Sequence, residues 1–144
     1  MEYIGNGTYI PSLAAITEMT KQTAFDFYTS LEKQFPKIKK LQILKGIDLE
    51  EDGFENSGIM TKLAEELTQF VLDGELQEAI QFMNNVEEAF NSSEDTVTNY
   101  LYTDFLVTIM EQKKKPREYL KSIMGIKTKE HYKNLFSFYR EIDV

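Results

Sequence analysis

The chain has 144 residues, 42% of them apolar, with eight Tyr, ten Phe, no cysteine and a formal net charge of −8. That is one domain's worth of chain, and its aromatic content excludes a disordered sequence, which buries too little apolar surface to offset the entropy of ordering. Without cysteine there are no disulfides, thiolate metal sites or cysteine nucleophiles, and no run approaches the ~20 apolar residues of a membrane-spanning helix.

In chain order, residues 1–12 read as extended or irregular. Tyr3-Ile4 and Tyr9-Ile10 flank Gly5-Asn6-Gly7, which suits a small hairpin turn as well as a loose end. No basic start followed by an apolar run marks a signal peptide there, and a cytoplasmic location is expected. From Leu13 the pattern turns helical, with Ser12 as N-cap and Leu13, Ile16, Met19, Thr23, Phe27 and Leu31 recurring up to Pro36. Residues 37–45 alternate apolar and basic side chains and fit a short helix or a strand equally. Residues 46–56 form an acidic loop.

Ser57 is positioned to cap a second helix, whose Ile59, Met60, Leu63, Leu67, Phe70 and Val71 share a face before Asp73-Gly74 ends it. A third runs to about Asn91, with Leu76, Ala79, Ile80, Met83, Val86 and Phe90 as its stripe and a polar opposite face. Asn91-Ser92-Ser93 caps a fourth, to about Gln112. This is the most hydrophobic, carrying Val97, Leu101, Phe105, Leu106 and Ile109, and is expected at the centre of a bundle. Pro116 opens a short fifth helix closed by Gly125, and Thr128 caps a sixth bearing Tyr132, Leu135, Phe136 and Tyr139. The expectation is an all-α single domain over 1–144, with five or six mostly antiparallel helices.

Charge is segregated along this pattern. Residues 1–45 sum to +2, 46–112 to −15 and 113–144 to +5, and Lys62 is the lone base between Gly46 and Gln112. Such a field attracts cations and repels nucleic acid and anionic membrane. The C-terminal third interleaves Lys113, Lys114, Lys115, Arg117, Lys121, Lys127, Lys129, Lys133 and Arg140 with Tyr119, Tyr132 and Tyr139, a composition that can meet nucleic acid. Core packing explains its tyrosines more simply, and the acidic middle opposes phosphate.

The chemistry-bearing patterns are weak. Asp48, Glu50, Asp52 and Gly53 occupy places one, three, five and six of a calcium loop, but place twelve, which needs a bidentate Glu, is Ile59. A solvated acidic loop accounts for the run better. His131 is the single histidine, which excludes histidine-rich zinc sites and Glu-x-x-His di-iron sites, and it reads as a surface or helix-end residue. The neighbours Glu65-Glu66 and Glu87-Glu88 diverge by about 100° on a helix, so they read as solvated faces and not as an acid/base pair. No catalytic signature and no cofactor motif emerges, so an enzyme is not expected.

Leu63 to Gly74, then Phe82-x-x-x-Val86-Glu87-Glu88-Ala89-Phe90, then Ser93-Glu94-Asp95-Thr96-Val97-Thr98-Asn99-Tyr100, and finally Tyr119-Leu120 with Met124-Gly125 resemble a family of small all-helical bacterial proteins of unassigned activity. The resemblance spans about residues 24–140 and carries helices and loops, not catalytic residues. Members look like immunity or accessory proteins encoded beside secreted toxins. It implies a protein-binding inhibitor that covers the working surface of a toxin. A nuclease-like toxin is basic because its substrate is a polyanion, so an acidic face suits it.

The candidate contact residues lie opposite the apolar stripes: Glu78, Gln81, Asn85 and Glu88 on the third helix, and Tyr100, Asp104 and Glu111 on the fourth. On an ideal wheel the last three fall within about 40° of one another, an aromatic amid acids. The alternative is a structural or scaffolding bundle, monomer or homodimer, in which the acidic middle meets the basic tail of a second copy.

Overall fold

The computed structural model describes residues 22–44 and 53–143, with side chains over 22–44 and 55–137. The expectations for residues 1–12, for the helix start at Ser12, and for most of the loop 46–56 lie outside these ranges. Among the described residues the fold is all-α, with seven helices and no strand.

Thr23 is not part of an apolar stripe. It is extended and caps helix α1 (Ala24–Gln34) in a reciprocal box: its Oγ1 accepts from the Asp26 amide and Asp26 Oδ2 accepts from the Thr23 amide, both at 3.1 Å. Two of the helix's orphan donors are satisfied at once. Just before it, Gln22 pairs with the chain at Ser92–Glu94: its amide donates to Ser92 O and its carbonyl accepts from the Glu94 amide, each at 3.0 Å. Phe35 then breaks the helix in an extended conformation, the one favoured before proline, and Pro36 opens the short α2 (Pro36–Lys39). The ambiguous segment after Pro36 is therefore one helical turn followed by turns to Leu44, with Gln42 at φ 50°.

Helix α3 (Gly53–Leu72) begins four residues before Ser57, so residues 53–56 are helical and not loop, and Ser57 is no cap. Its Oγ donates instead to Asp104 Oδ1 at 2.6 Å. The C-terminal end matches the expectation. Gly74 turns left-handed at φ 77°, and the Glu75 amide reaches back to Phe70 O at 2.8 Å. Lys37 clasps this turn, pairing with Glu75 and lying 3.8 Å from Asp73.

Helix α4 (Leu76–Ser92) buries Ala79, Phe82, Met83, Val86, Ala89 and Phe90. Helix α5 is continuous through α-helical Asp95–Tyr100, π-helical Leu101–Phe105 and α-helical Leu106–Met110, and its N-cap is Glu94, not the serines before it. In the wide turn the Leu106 amide bonds to Leu101 O. Two threonine hydroxyls donate to carbonyls beside it, Thr103 to Asn99 O at 2.9 Å and Thr108 to Asp104 O at 2.7 Å. Helix α6 (Lys114–Ser122) starts two residues before Pro116, whose missing N–H costs nothing in a first turn. Helix α7 (Ile126–Asp143) starts before Thr128, which lies inside its first turn.

The core is organised on α3 and α5, with α4 and α6 packed against α3 and α7 against α4 and α5. The expected central helix, α5, therefore shares that place with α3. Its middle is a chain of rings. Phe82 stands 5.6 Å from Phe35, 6.3 Å from Phe70 and 6.0 Å from Phe105, joining α3, α4, α5 and the α1–α2 break.

Candidate functional site

The expected contact residues separate into two groups. Glu78, Gln81, Asn85 and Glu88 lie along the outer side of α4, whose other side is buried. Glu78 and Glu88 are exposed and make no ion pair or side-chain hydrogen bond with any described residue. Between them Gln81 and Asn85 are tied to α1. Gln81 Nε2 donates to Gln34 Oε1 at 2.8 Å, Asn85 Nδ2 donates to the same oxygen at 3.0 Å, and Gln34 Nε2 donates to Asn85 Oδ1 at 2.9 Å. This amide strap holds the outer face of α4 against α1, leaving the two carboxylates at its ends.

Tyr100 and Asp104 belong to a different place. Both are half-buried, and Asp104 accepts a hydrogen bond from Ser57 at 2.6 Å and lies 3.0 Å from the Thr103 hydroxyl, whose one proton it shares with Asn99 O. Beside them the fully buried Tyr28 hydroxyl donates to Asn56 Oδ1 at 2.9 Å. Burial pushes that phenol well above its ordinary range, with the negative fields of Tyr100 and Asp104 adding to it, so it stays a donor. The cluster stitches α5 to α1 and α3. Asp104 is thus a buried-side hydrogen-bond acceptor more than an exposed contact.

Glu111 is exposed and past the end of α5. The wheel that grouped it with Tyr100 and Asp104 assumes 3.6 residues per turn. The π-helical turn holds an extra residue, which sets every later position on the helix back by about 100°. That rotation is the physical reason the three do not form one patch.

Glu87 is the residue the sequence placed wrongly. It is not a solvated carboxylate. Its Oε1 accepts from the Thr128 amide at 2.9 Å and the Thr128 hydroxyl at 2.8 Å, while Oε2 accepts from the Lys127 amide at 3.1 Å. A side chain from α4 thereby caps α7, the role expected of Thr128. Burial works to raise the Glu87 carboxyl, but the bonds from Thr128, Lys127 and Asn91 outweigh it and hold the group below its usual range.

His131, expected at the surface or at a helix end, is not at a helix end. It is half-buried within α7 and stacks on Phe90 with centroids 4.6 Å apart and planes at 25°, while Tyr102 meets it edge-on at 5.4 Å. These rings line a cleft of about 390 Å³ between α4, α5 and α7. No periodicity marks it, because its walls come from three helices. In the basic third, Tyr132 is buried in the core, as packing predicts, Tyr119 is half-buried, and the side chain of Tyr139 lies outside the described residues.

Among the described residues no three His, Asp or Glu side chains gather as a metal site. Asp48, Glu50 and Asp52 lie outside them, and Ile59, at place twelve of the calcium pattern, is buried. No described helix is long and apolar enough to cross a membrane. Comparison with family models, curated proteins and solved structures finds no match.

Proposed function

We propose that this chain is a protein-binding module of the immunity type, which inhibits a basic, toxin-like protein by covering it with the acidic outer side of α4. The observation that carries the reading is Glu78 and Glu88. They stand exposed and without a described cation on a helix held rigid from behind by its buried face and from the side by the Gln34–Gln81–Asn85 strap. A preorganised acidic surface steers a basic partner and loses little entropy on docking.

The test is capture by the tagged chain from a lysate of its source cell, repeated with Glu78→Lys and Glu88→Lys combined. The expected result is a basic protein whose binding weakens as salt rises and is lost in the reversed variant. Binding indifferent to both sinks the electrostatic reading. The scaffold reading draws on the exposed lysines of the basic tail, Lys113 to Lys115, which make no ion pair among the described residues and would meet the acidic side of a second copy. Light scattering decides it: a monomer at low salt removes that reading.

A further inference from the structure

We propose that the cleft between α4, α5 and α7 is a receptor for a cationic side chain of the basic partner, an arginine guanidinium. This rests on the basic-partner reading and gives it a second, separate contact point. The inner wall is aromatic: Phe90 is only 8% exposed, His131 stacks on it, and Tyr102 closes the corner edge-on. Ring faces carry negative electrostatic potential and attract a cation placed over them. At the rim stand the exposed carboxylates of Asp95 and Glu130. Neither makes an ion pair or side-chain hydrogen bond with a described residue, and both remain available.

The opposing charges are smaller. Among the described residues Lys127 is the one lysine or arginine in the lining, and it makes an ion pair with neither carboxylate. Two helix N-termini border the cleft, and such ends favour anions. The start of α7 is already occupied, because Glu87 takes the Lys127 and Thr128 amides. The start of α5 carries Glu94 and Asp95, which offset its partial charge. An anion entering the cleft therefore meets two carboxylates, whereas a cation meets them together with the Tyr102 ring and the outer side of the His131–Phe90 stack. The volume is at the low end for a small-ligand site and suits one long side chain. Arginine fits better than lysine, since its planar fork stacks on a ring and bonds a carboxylate with two donors at once.

The test is a titration of the ¹⁵N-labelled full chain with a tetra-arginine peptide, with tetra-lysine and adenosine monophosphate as comparison probes. Saturable shifts at the Asn99, Tyr102 and His131 amides are expected with tetra-arginine, weaker with tetra-lysine. Combined Asp95→Asn and Glu130→Gln, at two exposed positions with no side-chain partner among the described residues, should weaken cleft binding roughly tenfold while the helical circular dichroism is kept. Shifts near Glu78 and Glu88 on α4 should persist in that variant. Tyr102→Leu, removing a ring and no charge, should also weaken the cleft. Shifts confined to α4 overturn the cleft assignment and leave the basic-partner reading standing. Stronger cleft shifts with the nucleotide than with the peptide overturn it too, as does cleft binding unchanged in both variants. No shift anywhere overturns both.

Discussion

The carboxylate of Glu87 occupies the space that a side chain at Gly125 would need: a Cβ built on Gly125 comes within 2.5 Å of Glu87 Cδ. Glycine is thus required here for room, so that a side chain from α4 can reach the first amides of α7 across the turn. Gly125→Ala must push Glu87 aside and break the cap. The expected loss is about 1–2 kcal/mol, the usual worth of a helix N-cap. Urea midpoints would check it. Combining Gly125→Ala with Glu87→Gln should cost less than the sum of the two, because both remove the same bonds.

The same cap gives stability a pH dependence. The folded Glu87 carboxyl is held below its ordinary value of 4.5, so the unfolded chain takes up a proton first. Its contribution is full above the ordinary value and is lost as pH falls through the lower, folded value. Unfolding midpoints measured from pH 6 downward should fall below about pH 5, and Glu87→Gln should flatten that fall. An unchanged slope in the variant would show that other carboxyls carry it.

Two buried tyrosines should respond oppositely to loss of the hydroxyl. Tyr28 donates to the buried Asn56 at 2.9 Å, so Tyr28→Phe should destabilise by about 1–2 kcal/mol. The Tyr132 hydroxyl has no hydrogen-bond partner among the described residues, and Tyr132→Phe should be neutral or stabilising by up to about 1 kcal/mol. Paired thermal melts decide both.

Phe82 joins four elements through its contacts with Phe35, Phe70 and Phe105. Phe82→Ala should remove about 3–5 kcal/mol, enough to leave a marginal domain partly unfolded at 37 °C. Denaturant titration followed by helical circular dichroism would read it.

Among the candidate contacts, charge reversal should separate surface from structure. Glu78→Lys and Glu88→Lys should each change stability by less than about 0.5 kcal/mol. Asp104→Lys breaks the bond to Ser57 and sets an ammonium beside Tyr28, and should cost about 2 kcal/mol or more. Equal melting points for all three would contradict the assigned places.

Local patterns are legible in this chain. Val97, Leu101, Phe105, Leu106 and Ile109 are buried as their spacing indicates, and α3 ends at Asp73-Gly74 because glycine there adopts a left-handed turn. Helix starts mislead wherever a good capping residue stands nearby but unused. Ser57 and Thr128 both have capping chemistry, yet each hydroxyl is spent on a carboxylate from another helix. Phe82, outside the apolar stripe expected for α4, is buried because partners meet that helix on more than one side.

The all-α fold and the burial of most apolar stripes come from the sequence by itself, because a 3.6-residue period depends only on neighbours one or two turns away. The segregation of charge is equally a property of the chain. Three matters were decided by tertiary structure alone: Glu87 capping a helix about forty residues onward, the π-helical turn that divides Asp104 from Glu111, and the rings of Phe90, Tyr102 and His131 gathered into a cleft. Each depends on which helix faces meet, and contacts between residues far apart in sequence leave no local period to read.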